Sequence, residues 1–352
     1  MKRVFWIVLL MSSTAFGQTN SEIAYDKAEE AIRLMDQGEI KKSIVILEEC
    51  MKLDPTNYTY PYEIAFAHTL AKDYEKAIKI LNKTKKYKVI NSQVYQMLGN
   101  SYSYLGKPKQ AIKEYEEGIE RFPYAGNLHL EKGNIYLQQE NYNEAVVNYR
   151  RGIMADPMFS SNYFRLAKLY MSSNDKLAGI IYGEIFMNIE RTSKRTEEMS
   201  ELLLKSYQSS ITLGETESKI TFCKVVIDAS TLLDGEAFKL PLCAAFERNF
   251  IMTILGHTEV NLASLSKMRT SFIESFYQED YKNYPNVMFA YQKELLDKGL
   301  FEAYNFYLFQ IGAEEEFATW RKANEDKYQE FYKWYVQKEN VLKVNTANVY
   351  LN

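Results

Sequence analysis

Small residues recur along this chain every 34 positions, and that period restricts the fold more than any other feature. Ser43, Ala77, Ala111, Ala145 and Gly179 form one such column; Ala31, Ala65, Gly99, Gly133 and Ala167 form a second. Ile44, Ile78, Ile112, Val146 and Ile180 keep the same step as an aliphatic column, and Leu34, His68, Tyr102, Tyr136 and Tyr170 keep it as a bulky one. Pro123 and Pro157 are one period apart, with Pro55 two periods before Pro123. Two antiparallel helices in close contact need a small side chain where their axes approach and a bulky one to fill the groove beside it. Proline belongs beyond a helix end, where no hydrogen-bond ladder has to continue. Pro108, just after Gly106, suits the first turn of a second helix. Each helix pair leaves an apolar face that only the next pair can cover, so the columns predict pairs stacked in an array.

Composition agrees with long helices. The 352 residues include 28 Tyr and 19 Phe but only 7 Pro and 15 Gly, so breaks are few. Apolar and charged content are those of an ordered chain. A formal net charge of −3 is too small for electrostatic binding to nucleic acid.

Residues 1–17 are a separate object. Lys2 and Arg3 precede the apolar run Val4 to Met11, and small residues follow at Ala15 and Gly17. This order predicts a signal peptide with cleavage after Gly17, leaving residues 18–23 as a short N-terminal extension. The apolar run falls far short of the roughly 20 residues that span a bilayer, and no other segment is apolar enough to cross one. No Cys lies near the cut, so a lipoprotein is not expected. The destination implied is the periplasm or cell envelope of a two-membrane bacterium. Cys50, Cys223 and Cys243 are odd in number and widely spaced, leaving open both a Cys223–Cys243 pair and three buried thiols.

The columns resemble tetratricopeptide repeats, helix–turn–helix units of about 34 residues. The third repeat carries Tyr95, Leu98, Gly99, Tyr102, Gly106, Ala111, Tyr115, Gly118 and Pro123, and the fourth Gly133, Tyr136, Ala145, Tyr149, Gly152 and Pro157. The first has Ala31, Gly38, Ser43, Cys50 and Pro55, and the second Ala65 and Ala77, with Val89 in place of the proline. The fifth begins with Tyr163, Leu166, Ala167 and Tyr170, then departs at Gly183 and Phe186, as a terminal repeat remodelled to meet another domain would. The resemblance spans 24–190, as 24–57, 58–91, 92–125, 126–159 and 160–190. It implies a right-handed helical solenoid; the residues of 191–352 read as a mostly helical C-terminal domain, compact and aromatic-rich over Leu240 to Asn340, so the fold class expected is all-α.

Within that second half, Thr196 to Leu213 reads as helix, and Ile220 to Cys223 and Val225 to Ile227 as short strands. Pro241 opens a helix running towards Leu255 and Gly256. Phe301, Tyr304, Phe306, Tyr307 and Phe309 are apolar nearly all round, the pattern of a buried helix. Core packing accounts for the aromatic residues better than a sugar pocket does, because no convergent polar set accompanies them.

Few residues suggest chemistry. His68 and His129 fall on packing columns, and His257 has no His or Cys at ligand spacing. Gly99-Asn100-Ser101-Tyr102-Ser103 lacks the closing glycine of a nucleophile elbow, and zinc-protease, phosphate-loop and dinucleotide motifs are absent. Glu314, Glu315 and Glu316 suit a helix N-terminus, and Lys83, Lys85, Lys86 and Lys88 a solvated helix C-terminus. The expectation is therefore no catalytic residue, no metal and no cofactor. The resemblance implies a non-enzymatic scaffold that binds a protein or peptide partner in a concave groove lined by the first helix of each repeat. Asn100 and Asn134, one period apart, would bond a peptide main chain through amide donor and acceptor, with Arg165 and Lys168 adding charge. The carboxylate clamp of chaperone-binding members is not matched, since Gln96, Glu131 and Ser161 stand where Lys, Asn and Lys are expected. Two other readings are an enzymatic or sugar-binding C-terminal domain with the repeats as handle, and a structural spacer in an envelope complex.

Overall fold

A computed structural model describes residues 19–215, 217–224 and 240–351. The signal segment 1–17 and the strand expected at 225–227 lie outside the described residues. The chain divides into two compact units, residues 1–118 and 119–352, and the helices below are taken unit by unit.

In the first unit α1 (Asn20–Asp36) pairs with α2 (Ile40–Leu53), α3 (Thr59–Leu70) with α4 (Tyr74–Thr84), and α5 (Ser92–Tyr104) precedes α6 (Pro108–Arg121), in which the division falls. Residues 18–23 are not an extension: α1 begins at Asn20, because Thr19 caps it. The Thr19 N–H donates to Glu22 Oε2 at 2.7 Å and the Glu22 N–H donates to Thr19 Oγ1 at 3.3 Å, a capping box. Each pair turns through one residue of left-handed backbone. Gly38 and Gly106 supply it at φ +83° and +69°, while Lys72 does so at +59° without glycine's freedom. The turn then closes onto the bulky column, as when Asp73 N–H donates to His68 O at 2.8 Å.

The small columns are explained by what faces them. A Cβ on Gly99 would stand 2.2 Å from Tyr115 Cε1, and one on Gly133 2.5 Å from Tyr149 Cε1. Sixteen residues after each small position comes the side chain that fills the groove: Leu47 after Ala31, Leu81 after Ala65, Tyr115 after Gly99 and Tyr149 after Gly133. All are essentially inaccessible to solvent. Alanine accompanies leucine and glycine accompanies tyrosine, so the combined volume stays within what two close axes allow. Lys85 departs from expectation. It is enclosed rather than solvated, with Nζ 2.8 Å from Glu114 and 2.7 Å from Glu117.

The second unit continues the pairing with α7 (Gly126–Gln138), α8 (Tyr142–Ala155), α9 (Ser160–Met171) and α10 (Lys176–Glu190). The partly buried His129 on α7 has its pKa pushed down to about 4 by burial, with Lys132 and Arg151 adding to the effect, so it is a neutral packing residue. In α10 every residue from Leu177 to Asn188 is buried. Gly183 stands where the earlier repeats place Leu or Tyr, and its space belongs to Met171, Met199 and Leu203, each within 3.1 Å of a Cβ built there.

Beyond α10 come α11 (Lys194–Ser210), then β1 (Ile211–Thr212) and β2 (Lys219–Ile220), antiparallel with Ile211 opposite Ile220. The strand thus takes Ile211 and Thr212 from the expected helix. The α-helix after Pro241 is shorter than its sequence suggests: α12 (Leu242–Phe250) gives way to a 3₁₀ turn, Ile251–Ile254, and Gly256 reverses the chain at φ +80°. Helices α13 (Leu262–Glu279), α14 (Val287–Asp297), α15 (Phe301–Leu308), α16 (Glu314–Ala323) and α17 (Glu325–Tyr335) follow. Phe222, Phe246, Phe250, Phe272, Phe276 and Phe289 form a filled aromatic core, with neighbouring centroids as close as 4.5 Å. The carboxylates at 314–316 open α16, and Glu316 Oε2 also accepts the Leu262 N–H at 2.8 Å, capping α13.

Two devices tie the repeats of this unit to the helices after them. Glu184 of α10 and Arg269 of α13, both essentially inaccessible, meet through two contacts of 2.8 Å. Gln292 Nε2 donates to Glu184 Oε2 at 2.7 Å, and the Tyr304 hydroxyl donates to the same oxygen at 3.3 Å. Burial opposes the charge on Arg269, but Glu184 outweighs it and holds the guanidinium above its ordinary pKa. The second device is the Cys223–Cys243 disulfide, which resolves the pairing left open by the sequence and leaves Cys50 as a buried thiol. Its first half is itself hydrogen-bonded to the start of α10, with Leu177 N–H donating to Phe222 O at 3.2 Å and Lys224 N–H to Asn174 O at 2.9 Å.

Both devices yield predictions, readable by fluorescence because Trp320 and Trp334 lie in this unit. Arg269→Met strands a buried carboxylate and should cost about 3–5 kcal/mol in urea unfolding, whereas adding Glu184→Leu should recover most of that loss. A double mutant as unstable as the single would refute the charge argument. Cys223→Ser with Cys243→Ser opens a loop whose ends are 20 residues apart, and chain-entropy arguments put the loss at about 3 kcal/mol. An unchanged urea midpoint would show that the staple adds nothing to the native bonds around Phe222.

Candidate partner-binding face

The residues expected to meet a partner sit on first helices of repeats. In the first unit, Asn100 lies on α5 directly after Gly99, and its Oδ1 accepts the Tyr115 hydroxyl proton at 2.6 Å. In the second unit, Asn134 lies on α7 directly after Gly133, and its Oδ1 accepts the Tyr149 hydroxyl proton at 3.0 Å. The same tyrosine that packs on the glycine therefore holds the neighbouring asparagine. Burial pushes the Tyr149 hydroxyl pKa up, so it stays a donor. This arrangement changes the chemistry available. One lone pair of each amide oxygen is already engaged, which fixes the amide plane and with it the direction of the NH2 group.

Around Asn134 the surroundings are polar and partly buried. Its Nδ2 donates to Glu131 Oε2 at 3.0 Å, one turn earlier on α7. Arg165 of α9 stands within electrostatic reach of the Tyr149 hydroxyl, as does Glu131, and it makes no ion pair among the described residues. Lys168 is committed: its Nζ lies 2.5 Å from Glu198 Oε1 on α11 and 5.3 Å from the Phe164 ring centroid. Ser161 accepts a hydrogen bond from Arg195 at 3.0 Å, and Arg195 in turn pairs with Glu190. The structure thus places Asn134 on α7 and Arg165 and Lys168 on α9, with α11 supplying Glu198 to Lys168. Only Arg165 among the expected cations keeps its charge uncommitted.

Sequence reasoning missed Tyr115 and Tyr149 as the residues that orient the asparagines. The signal was present, because each tyrosine follows its asparagine by fifteen positions in both repeats. It also missed Glu198, whose helix lies outside the repeat columns.

One cluster has metal-ligand chemistry among the described residues: Cys223, Cys243 and Glu247, with ligand atoms within 4.8 Å of one another. The sulfurs are bonded to each other, and Glu247 Oε1 accepts the N–H groups of Phe222 at 2.6 Å and Cys223 at 3.2 Å. The trio serves as a staple in this state. No described helix is long and apolar enough to cross a membrane.

Comparison with known proteins adds the family. The tetratricopeptide repeat profile matches residues 92–124 and 127–157. No curated protein matches the sequence. Among solved structures, MamA (residues 41 to the end) from Desulfovibrio magneticus RS-1 is similar at 16% identity over 48% of this chain and 95% of its own, with a TM-score of 0.37. PilW, a type IV pilus biogenesis factor, is similar at 17% identity over 53% of this chain and 86% of its own, with a TM-score of 0.42. TTC0263 of Thermus thermophilus is similar at 15% identity over 51% of this chain and 99% of its own, with a TM-score of 0.43. With helix pairs on a 34-residue period and the profile match falling on the third and fourth of them, the chain contains tetratricopeptide repeats.

Proposed function

We propose that this protein is a non-enzymatic scaffold of the cell envelope that binds an extended peptide or protein segment on the α7–α9 face. The observation that carries the reading is the oriented Asn134 amide, held by Tyr149 and Glu131 beside the uncommitted Arg165. A fixed NH2 donor suits a main-chain carbonyl, and ordering it in advance removes part of the entropy cost of binding. Glu131 next to it disfavours an acidic peptide terminus, so the ligand is a segment read along its backbone. Arg165 selects for an acceptor or acidic side chain within that segment.

Export is the second part of the proposal. The Cys223–Cys243 disulfide supports it, since such bonds persist in oxidising compartments and are rare in the bacterial cytosol. The signal-like order of residues 1–17 supplies the route. The mature protein then occupies the periplasm or envelope of a two-membrane bacterium.

The binding proposal is tested by placing a photo-crosslinking residue at position 165 in the native host, with position 322 as an exposed control. A discrete protein adduct should form from 165 and not from 322. Asn134→Ala combined with Tyr149→Phe removes both halves of the hydrogen bond, so neither partner is left unpaired. Capture should fall at least tenfold while the urea midpoint moves little. Equal capture by this variant would exclude the amide as a recognition group. For export, the intact mass of the processed protein should begin at Gln18; cytosolic protein retaining residues 1–17 would sink that part.

A further inference from the structure

Residues 341–351 carry no helix or strand, yet they return from the end of α17 to the repeats. Leu342 and Val344 are buried. The Val344 N–H donates to Met158 Sδ at 3.4 Å, a weak acceptor, and the turn at Asn345–Asn348 bonds mainly to itself. Tyr350 ends the path 5.1 Å from the ring of Tyr182 on α10, which is itself stacked 5.8 Å from Tyr170 of α9. Arg150 of α8 and Asp175 lie within electrostatic reach of its hydroxyl. Side-chain burial, rather than a main-chain ladder, holds this strap.

Beside Tyr350 the seat continues into an open cleft of about 840 Å³ that shares Tyr170 and Arg150 with it. Tyr142, Val146, Val147 and Leu169 give the cleft an apolar lining. Tyr142 and Val147 are exposed there, at 53% and 36%. The cleft lies on α8 and the end of α9, so it is built from residues other than Asn134, Arg165 and Lys168. Its chemistry matches what already occupies the adjoining seat: a stretch without helix or strand, turned at Asn345–Asn348, in which branched aliphatic residues lead to one aromatic ring.

We propose that the seat and this cleft form a second peptide-binding surface, taking an extended apolar segment with an aromatic side chain, and that residues 341–351 occupy it as an internal competitor. A tethered competitor lowers the apparent affinity for an external segment by the fraction of time it is seated. A strap held by a few side chains can leave without unfolding the helices beneath it. The proposal is independent of the α7–α9 face.

The probe is a fluorescent synthetic peptide with the sequence of residues 341–352, added to the full chain, to the full chain carrying Tyr350→Ala, and to a chain ending at Asn340. Tyr350→Ala should bind it at least tenfold more tightly than the unaltered chain, and the shortened chain more tightly still. Val147→Asp with Tyr142→Ala should abolish that gain, whereas Asn134→Ala with Tyr149→Phe should leave it intact. A cooperatively folded Tyr350→Ala chain that binds no better than the unaltered one would overturn the proposal. So would a gain removed only by the Asn134 variant, because the peptide would then occupy the other face. Should the altered chains not fold, the unaltered chain still decides: excess unlabelled peptide should accelerate proteolysis within residues 341–351. Unchanged proteolysis at saturating peptide would equally overturn the proposal.

Discussion

Glu184 and Arg269 form a fully buried ion pair, and the arrangement of the second unit depends on it. Removing two charges from water costs several kcal/mol for each ion, and Coulomb attraction offsets this only with good geometry and further hydrogen bonds. Here Glu184 Oε2 is fully engaged, while Glu184 Oε1 and Arg269 Nε and Nη1 make no hydrogen bond among the described residues, so mutual attraction carries much of the compensation. Arg269 Nη2 donates to Glu184 Oε2, its Nη1 lies 2.8 Å from Oε1, Gln292 and Tyr304 donate to Oε2, and the guanidinium lies 5.0–5.6 Å from the ring centroids of Phe309, Tyr207 and Phe301. Five helices contribute: α10, α11, α13, α14 and α15. A slide of α10 by one turn against α13 would leave two buried charges unpaired, so the pair sets the register in which repeats and terminal helices dock.

In the repeats the governing constraint is volume. Where the second helix presents leucine, the first answers with alanine; where it presents tyrosine, the first answers with glycine. The tyrosine brings more than bulk, because its hydroxyl reaches the asparagine following that glycine. Packing and surface chemistry are thus coupled through one side chain. Losing the tyrosine would open a void and release the amide together. In the fifth repeat Gly183 ends the coupling, and methionines from α9 and α11 take the space, which suits an irregular junction better than a rigid ring would.

The repeat columns made most of the first half legible. A 34-residue period in small, bulky and proline positions reports helix pairs directly, and the same period sets Asn100 and Asn134 each on the first helix of its own repeat. What the columns could not report was the use already made of those side chains: Tyr149 holds the Asn134 carbonyl, Glu198 takes Lys168, and two glutamates enclose Lys85. Such pairings join distant segments and leave no periodic trace. The same limit applied to Glu184, one acidic residue in an apolar helix, whose partner lies 85 positions away. The helix ends near Thr19, Ser210 and Phe250 were missed for local reasons, since a cap, a two-residue strand and a 3₁₀ turn each move a boundary without disturbing the apolar pattern.

The burial of α10 has a consequence for recognition. In an open repeat array, both surfaces of the last helix pair are available, but here Leu177 to Asn188 face protein on every side. α10 therefore has little surface to offer a partner, and the helices flanking it differ in chemistry. Along α7 and α9 the groups are a fixed amide, a carboxylate and a guanidinium, which suit the polar atoms of a backbone and an acidic side chain. Along α8 and the end of α9 they are tyrosine, valine and leucine, which reward apolar and aromatic side chains and ignore the backbone. A partner engaging both would be recognised by two independent criteria, each too weak alone for high affinity. Because α8 and α9 pack directly on each other, the two surfaces are held at a fixed spacing, and simultaneous engagement would multiply the affinities rather than add them.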